Sequence, residues 1–228
     1  MTLLALAISP SIALFLLFYL RDKYDREPLW LMAVTFALGA LSIFPVAMIE
    51  HALFKQAGLN IYETNGFMVT LMSMIVLVAL VEEFTKFAIV RWYCWDKKAF
   101  NEPYDGIMYT LMASLGFATA ENISYVTQYG EVVGWLRAFL TVPMHALTAV
   151  VMGFYIGLAK YPKVKGKNRY LIHGVGIATL THGFFNTFVS SRYGILIIGA
   201  AALVSYAWML GLRASRLHAE NSPYNPSK

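Results

Sequence analysis

From about Phe67 to Tyr93 the chain is apolar and longer than a bilayer crossing requires, yet Glu82, Glu83 and Lys86 sit inside it. A crossing helix needs about 20 residues. A charged side chain at bilayer depth costs about 2.5–3.5 kcal/mol on insertion scales, so three charges in one span need partners. Glu82 and Lys86 are four residues apart and share a helix face, with the acid first, the better order for a pair. Glu83 is turned about 100° from Glu82 and has no basic neighbour in sequence. It needs a proton, a metal or a group from another helix. A buried structural ion network is the plain alternative for all three.

Composition extends this picture to the whole chain. The 228 residues are 58% hydrophobic and only 14% charged, against about 25% charged in soluble domains. The apolar residues fall in seven stretches, about 2–20, 29–49, 67–93, 106–128, 138–159, 171–190 and 194–212. The expected fold is therefore all-α: one polytopic membrane helix bundle of seven transmembrane helices spanning residues 1–228. Its motif-bearing core lies at about 67–190, and a short disordered tail follows at about 217–228. The first stretch lacks a basic leader and reads as a retained helix, not a cleaved signal.

Basic residues set the orientation. Arg21, Lys23 and Arg26, then Arg91, Lys97 and Lys98, then Lys160, Lys163, Lys165, Lys167 and Arg169, and finally Arg213, Arg216 and Lys228 occupy alternate connections. The other connections hold only Lys55, Arg137 and Arg192. By the positive-inside rule the N-terminus lies outside and the C-terminus in the cytoplasm. The net charge of +5 is explained by this placement and does not point to nucleic acid. The expected partner is the lipid bilayer. A single cysteine, Cys94, excludes an internal disulfide and a cysteine-cluster zinc site.

Further polar groups recur inside the apolar stretches. The fourth holds Glu121 and Asn122 among small residues, the fifth has His145 just after Pro143, and the sixth has His182 and Asn186 four residues apart on one face. A Glu121–Lys86 salt bridge is the structural alternative for Glu121. Asp105 reads as a helix cap. Glu50 and His51 read as interfacial, and His173 falls out of phase with His182. Four helices thus lend polar groups at overlapping depth, which favours one shared site.

Carboxylates with two imidazoles and an amide suit the activation of water against a carbonyl, with a glutamate as base either alone or beside a metal. Either Glu82 or Glu83 fits the role of base. The His or Asn groups would hold the oxyanion, and Lys86 and Asn122 would be structural partners. No serine or cysteine is paired with a base, which disfavours an acyl-enzyme. The sequence lacks HExxH. A proton-coupled transporter and a non-catalytic membrane scaffold would use the same residue types. The absence of repeats and broken helices weighs against the transporter.

The Glu82-Glu83-x-x-Lys86 block, the Glu102-Pro103-x-Asp105-Gly106 entry, the Gly116-Phe117-x-x-x-Glu121-Asn122 block, His145 and His182-x-x-x-Asn186 appear in order. Together they resemble the PrsW family of intramembrane proteases, which is similar to the type II CAAX prenyl endopeptidases. The resemblance implies a peptidase in the cell membrane. It would cut a membrane-anchored protein of the anti-sigma-factor kind as the first step of regulated proteolysis. Its functional residues fall on Glu82, Glu83, Glu121, His145 and His182, with Asn186 as an orienting or oxyanion group. The family's description as a metalloprotease makes zinc a candidate cofactor, with His145, His182 and Glu121 as candidate ligands.

Overall fold

The structure, a computed structural model, describes residues 2–60, 66–160, 166–191 and 194–227. Lys163, Lys165, Arg192 and Lys228, counted above for orientation, lie outside the described residues. Among those described, every regular element is helical. The helices are α1 Leu3–Tyr19, α2 Leu29–Leu41, α3 Ile43–Gln56, α4 Phe67–Ser73, α5 Leu80–Ile89, α6 Pro103–Leu136, α7 Val142–Lys160, α8 Lys167–Ser190 and α9 Leu196–Glu220. Wider π-helical turns at Met74–Ala79, Val90–Cys94 and Arg137–Thr141 join α4 to α5, extend α5, and lead into α7.

Helix covers each of the seven apolar stretches. Four continuous helices are long and apolar enough to cross a membrane: Leu29–Gln56, Phe67–Cys94, Pro103–Lys160 and Leu196–Glu220. The chain is an integral membrane protein by this measure. The third of these is 58 residues long and is interrupted at Gly130, whose φ of 80° only glycine adopts without strain. Beyond that break the chain reverses, and α7 packs back along α6.

The antiparallel register is visible in the contacts: Gly106 faces Gly153 and Gly157, Ser114 donates to the His145 carbonyl at 2.8 Å, and Glu121 meets Arg137. Small residues make the approach possible, because a Cβ on Gly106 would stand 2.5 Å from the Gly153 carbonyl oxygen.

The α6 helix is the axis of the bundle. It is buried continuously from Pro103 to Thr119 and packs against α1, α2 and α7. Its start is set by Pro103 in the first turn and by a reciprocal cap. Asp105 Oδ2 accepts the backbone N–H of Asn101 at 2.6 Å and of Glu102 at 2.7 Å, as the cap reading anticipates. At the other end of the chain, α9 runs to Glu220, past the expected start of the tail at about 217. Beyond it, Ser222 is buried and donates to Glu102.

Candidate functional site

The α5 helix carries Glu82, Glu83 and Lys86 on the face turned into the bundle, while Phe84 on the opposite side is exposed. Burial of these three is nearly complete, with Glu83 and Lys86 at 0% exposure. The Lys86 amine lies 3.3 Å from Glu82 Oε2, 2.8 Å from Glu83 Oε1 and 3.1 Å from His145 Nδ1. All three of its N–H bonds are thereby used, and the ammonium stands 4.8 Å above the Phe117 ring.

The α7 and α8 helices bring the imidazoles. His145 and His182 meet edge to face with ring centres 4.8 Å apart. His182 Nδ1 lies 2.9 Å from Glu83 Oε1, and His145 Nε2 lies 3.1 Å from Glu121 Oε2.

These contacts fix the ring protons by elimination. A carboxylate only accepts and an ammonium only donates. His182 therefore donates from Nδ1 to Glu83, and in the neutral ring its Nε2 carries a lone pair that no described residue engages. His145 donates from Nε2 to Glu121 and accepts from Lys86 at Nδ1, so both of its nitrogens are engaged. The two histidines are thus unequal, and His182 is the one with a nitrogen to offer.

Ligand atoms of Glu82, Glu83, His145 and His182 all lie within 4.8 Å of one another. Two carboxylates and two imidazoles are a donor set that a divalent metal accepts. Glu83 Oε2 is buried without a hydrogen-bond partner among the described residues and adds an orphaned lone pair that a metal could take. The residues fit a metal, although Lys86 draws on three of the same four side chains. Of the expected ligands His145, His182 and Glu121, the two histidines fall in this group and Glu121 stands outside it.

Glu121 does not pair with Lys86. Its partner is Arg137, whose Nη2 is 2.7 Å from Glu121 Oε2 and whose Nε donates to Asn122 Oδ1 at 2.9 Å. Asn122 in turn donates to the Ala7 carbonyl and ties α6 to α1. Asn186 lies one turn beyond His182, is half-buried, and has no hydrogen bond to the site. His173 is exposed and bonded to the Arg169 carbonyl.

Two residues were missed by sequence reasoning. Arg137 reads as a loop charge from sequence, but it lies 8% exposed in the turn where the chain re-enters the bundle. Glu50 reads as interfacial from sequence, yet its Oε1 is buried and without a hydrogen-bond partner among the described residues. Only the position of the Gly130 reversal would have signalled Arg137, and nothing local in the sequence signals Glu50.

A helical membrane protein with clustered buried acids and imidazoles carries the groups that an intramembrane hydrolase needs. The model for the PrsW family intramembrane metalloproteases matches residues 27–212. A protein named Protease PrsW from Geobacillus kaustophilus is 37% identical over 185 residues, covering 81% of this chain and 78% of the relative. One of the same name from Bacillus subtilis is 34% identical over 214 residues, 94% of each chain. No solved structure matches the chain. The chain belongs to the PrsW family and is an intramembrane protease.

Proposed function

We propose that this protein is a seven-span, multi-pass protease of the plasma membrane, with its N-terminus outside and its C-terminus in the cytoplasm. It hydrolyses a peptide bond of a membrane-anchored protein of the anti-sigma-factor kind. The observation that carries the reading is the convergence of Glu82, Glu83, His145 and His182 within 4.8 Å in a buried setting.

Glu82 is the base. Glu83 is already committed, because its Oε1 accepts both Lys86 and His182, whereas Glu82 accepts one longer hydrogen bond at 3.3 Å and stands 3.9 Å from His145 Nδ1. A water between Glu82 and His182 donates one O–H to Glu82 and the other to His182 Nε2, which aims an oxygen lone pair at the scissile carbonyl. Glu82 takes the proton as the water oxygen bonds to the carbonyl carbon, and the carbonyl π electrons move to its oxygen. The Asn186 amide donates to that oxyanion. When the C–N bond breaks, the oxyanion reforms the carbonyl and the amine leaves with the proton that Glu82 carried. Water has then supplied OH to the acyl product and H to the amine.

A zinc ion held by Glu82, Glu83, His145 and His182 would have to displace Lys86 from them, and it would supply Lewis-acid polarisation and a more acidic water in place of the water held by Glu82 and His182.

The test is co-expression with tagged single-span membrane proteins, anti-sigma factors among them, reading the shortened tagged fragment. Glu82→Gln and His182→Ala, at parental expression and melting temperature, each lower cleavage by about 100-fold or more. Cleavage at the parental rate in either variant overturns the assignment.

A further inference from the structure

Arg137 is not used by the mechanism above, yet it is held more tightly than charge neutralisation needs. It opens the π-helical turn Arg137–Thr141, just after the Gly130 reversal, and so re-enters the bundle beside the end of α6. Wider turns of this kind redirect a side chain and recur at functional sites. Three restraints act on its guanidinium: Glu121 Oε2 at 2.7 Å from Nη2, Asn122 Oδ1 at 2.9 Å from Nε, and the Tyr125 ring, whose centre is 4.1 Å away. Asn122 is itself anchored to the Ala7 carbonyl at 2.9 Å. The Glu121 oxygen that Arg137 grips is the same oxygen that receives His145 Nε2 at 3.1 Å.

We propose that Arg137 is a positioning residue of the protease. It aims the Glu121 carboxylate at His145 Nε2, which turns His145 Nδ1 toward Lys86 and keeps the ammonium seated between Glu82 and Glu83. The proposal rests on reading the four-residue cluster as the proteolytic site. The chain of contacts is continuous: Arg137 to Glu121, Glu121 to His145, His145 to Lys86 at 3.1 Å, and Lys86 to Glu82 and Glu83. A guanidinium is suited to this because its planar fork fixes direction, whereas an ammonium supplies charge without direction. A residue present only to neutralise Glu121 would be replaceable by lysine, or dispensable once Glu121 is made neutral.

That contrast defines the experiment, performed on the full chain in detergent and in membranes. The variants are Arg137→Lys, Arg137→Met and the double variant Arg137→Met with Glu121→Gln. Arg137→Lys keeps the parental melting temperature, but kcat on the cleaved reporter falls by about 10- to 100-fold, the usual effect of losing an outer-layer orienting partner, with KM within about twofold. The double variant stays impaired because His145 still lacks an oriented acceptor. Parental kcat in Arg137→Lys, or recovery of kcat in the double variant, overturns the proposal.

A second readout needs no substrate. Nitrogen-15 spectra of the imidazoles, assigned with His145→Gln, show His145 protonated at Nε2 in the parent and a mixture of tautomers in Arg137→Lys and Arg137→Met. An unchanged His145 signal in both variants also overturns the proposal. Should the parent cleave no reporter, the proteolytic reading fails on its own, and the imidazole spectra still decide whether Arg137 orients His145.

Discussion

His182 Nδ1 and Lys86 Nζ converge on one oxygen, Glu83 Oε1, at 2.9 and 2.8 Å. Glu83 is therefore the anchor that fixes both a cation and an imidazole, while Glu82 keeps the looser engagement. The two acids, adjacent in sequence, have separate duties, and their isosteric variants should differ. Glu82→Gln removes the proton acceptor and abolishes turnover at every substrate concentration. Glu83→Gln keeps the shape but weakens the hold on His182, so cleavage falls by about 100-fold and a residue remains. Quantitative reporter cleavage in the two variants checks this. Equal residual rates would remove the distinction.

Lys86 is fully buried between two acids. Replacing it by methionine leaves both carboxylates in apolar surroundings without their cation. Breaking a buried pair from one side costs about 3–5 kcal/mol. Lys86→Met is expected to lower the melting temperature in detergent sharply, and Lys86→Met combined with Glu83→Gln to recover part of the loss. A Lys86→Met protein as stable as the parent would show that the pair contributes nothing.

The same amine competes with any divalent metal for Glu82, Glu83 and His145. Removing it vacates the donors. Direct calorimetric titration of zinc into protein stripped by a chelator should show Lys86→Met binding at least about tenfold more tightly than the parent, equivalent to about 1.4 kcal/mol of lost competition. Equal affinities would mean that a metal, if bound, sits elsewhere.

A very close helix contact in the core is also testable. A Cβ at Gly116 would lie 2.0 Å from the Phe36 carbonyl oxygen, so alanine there forces α2 off α6. Overpacking of this sort costs about 1–3 kcal/mol. Gly176 in α8 has nothing within 4 Å of such a Cβ. Gly176→Ala should be neutral or gain up to about 1 kcal/mol from helix propensity. Thermal unfolding of both variants, measured side by side, checks the pair.

The helices and most of the site were legible because their signals are local. Glu82 and Lys86 sit at helical spacing, Gly116 marks a close contact, and Glu102 with Asp105 announces a helix start. The partner of Glu121 was not legible. Lys86 and Arg137 both qualify from sequence, and the choice depends on how α7 lies against α6, which the reversal at Gly130 sets. Which acid stands beside both imidazoles was hidden for a related reason. Glu121 and Glu83 are alike in sequence, but only Glu83 is on the inner face of α5 beside His182. The burial of Glu50 Oε1 was hidden because it depends on how α3 packs against α5 and α6.

The loop between α1 and α2 supplies a pH signature separate from catalysis. Asp22 is 1% exposed, and neither of its carboxylate oxygens has a partner among the described residues. Burial, followed by the negative charges of Glu102 and Asp105, pushes it from an ordinary 3.8 up to about 8, against the pull of Arg26. Glu27, which accepts the Tyr109 hydroxyl, is pushed up to about 11 by burial and then by Asp105.

An acid whose pKa is raised on folding binds its proton more tightly in the native state. Its contribution is then complete below the unfolded value and is lost as pH rises to the folded one. Asp22 and Glu27 should both lower stability as pH climbs from about 5 to 8, and only Glu27 continues beyond. Melting temperatures of the parent in detergent should fall across that window. Asp22→Asn, which mimics the protonated acid, should flatten the part below about 8 and leave the remainder. A parental slope in Asp22→Asn would mean that Asp22 is ionised in the folded protein throughout the range.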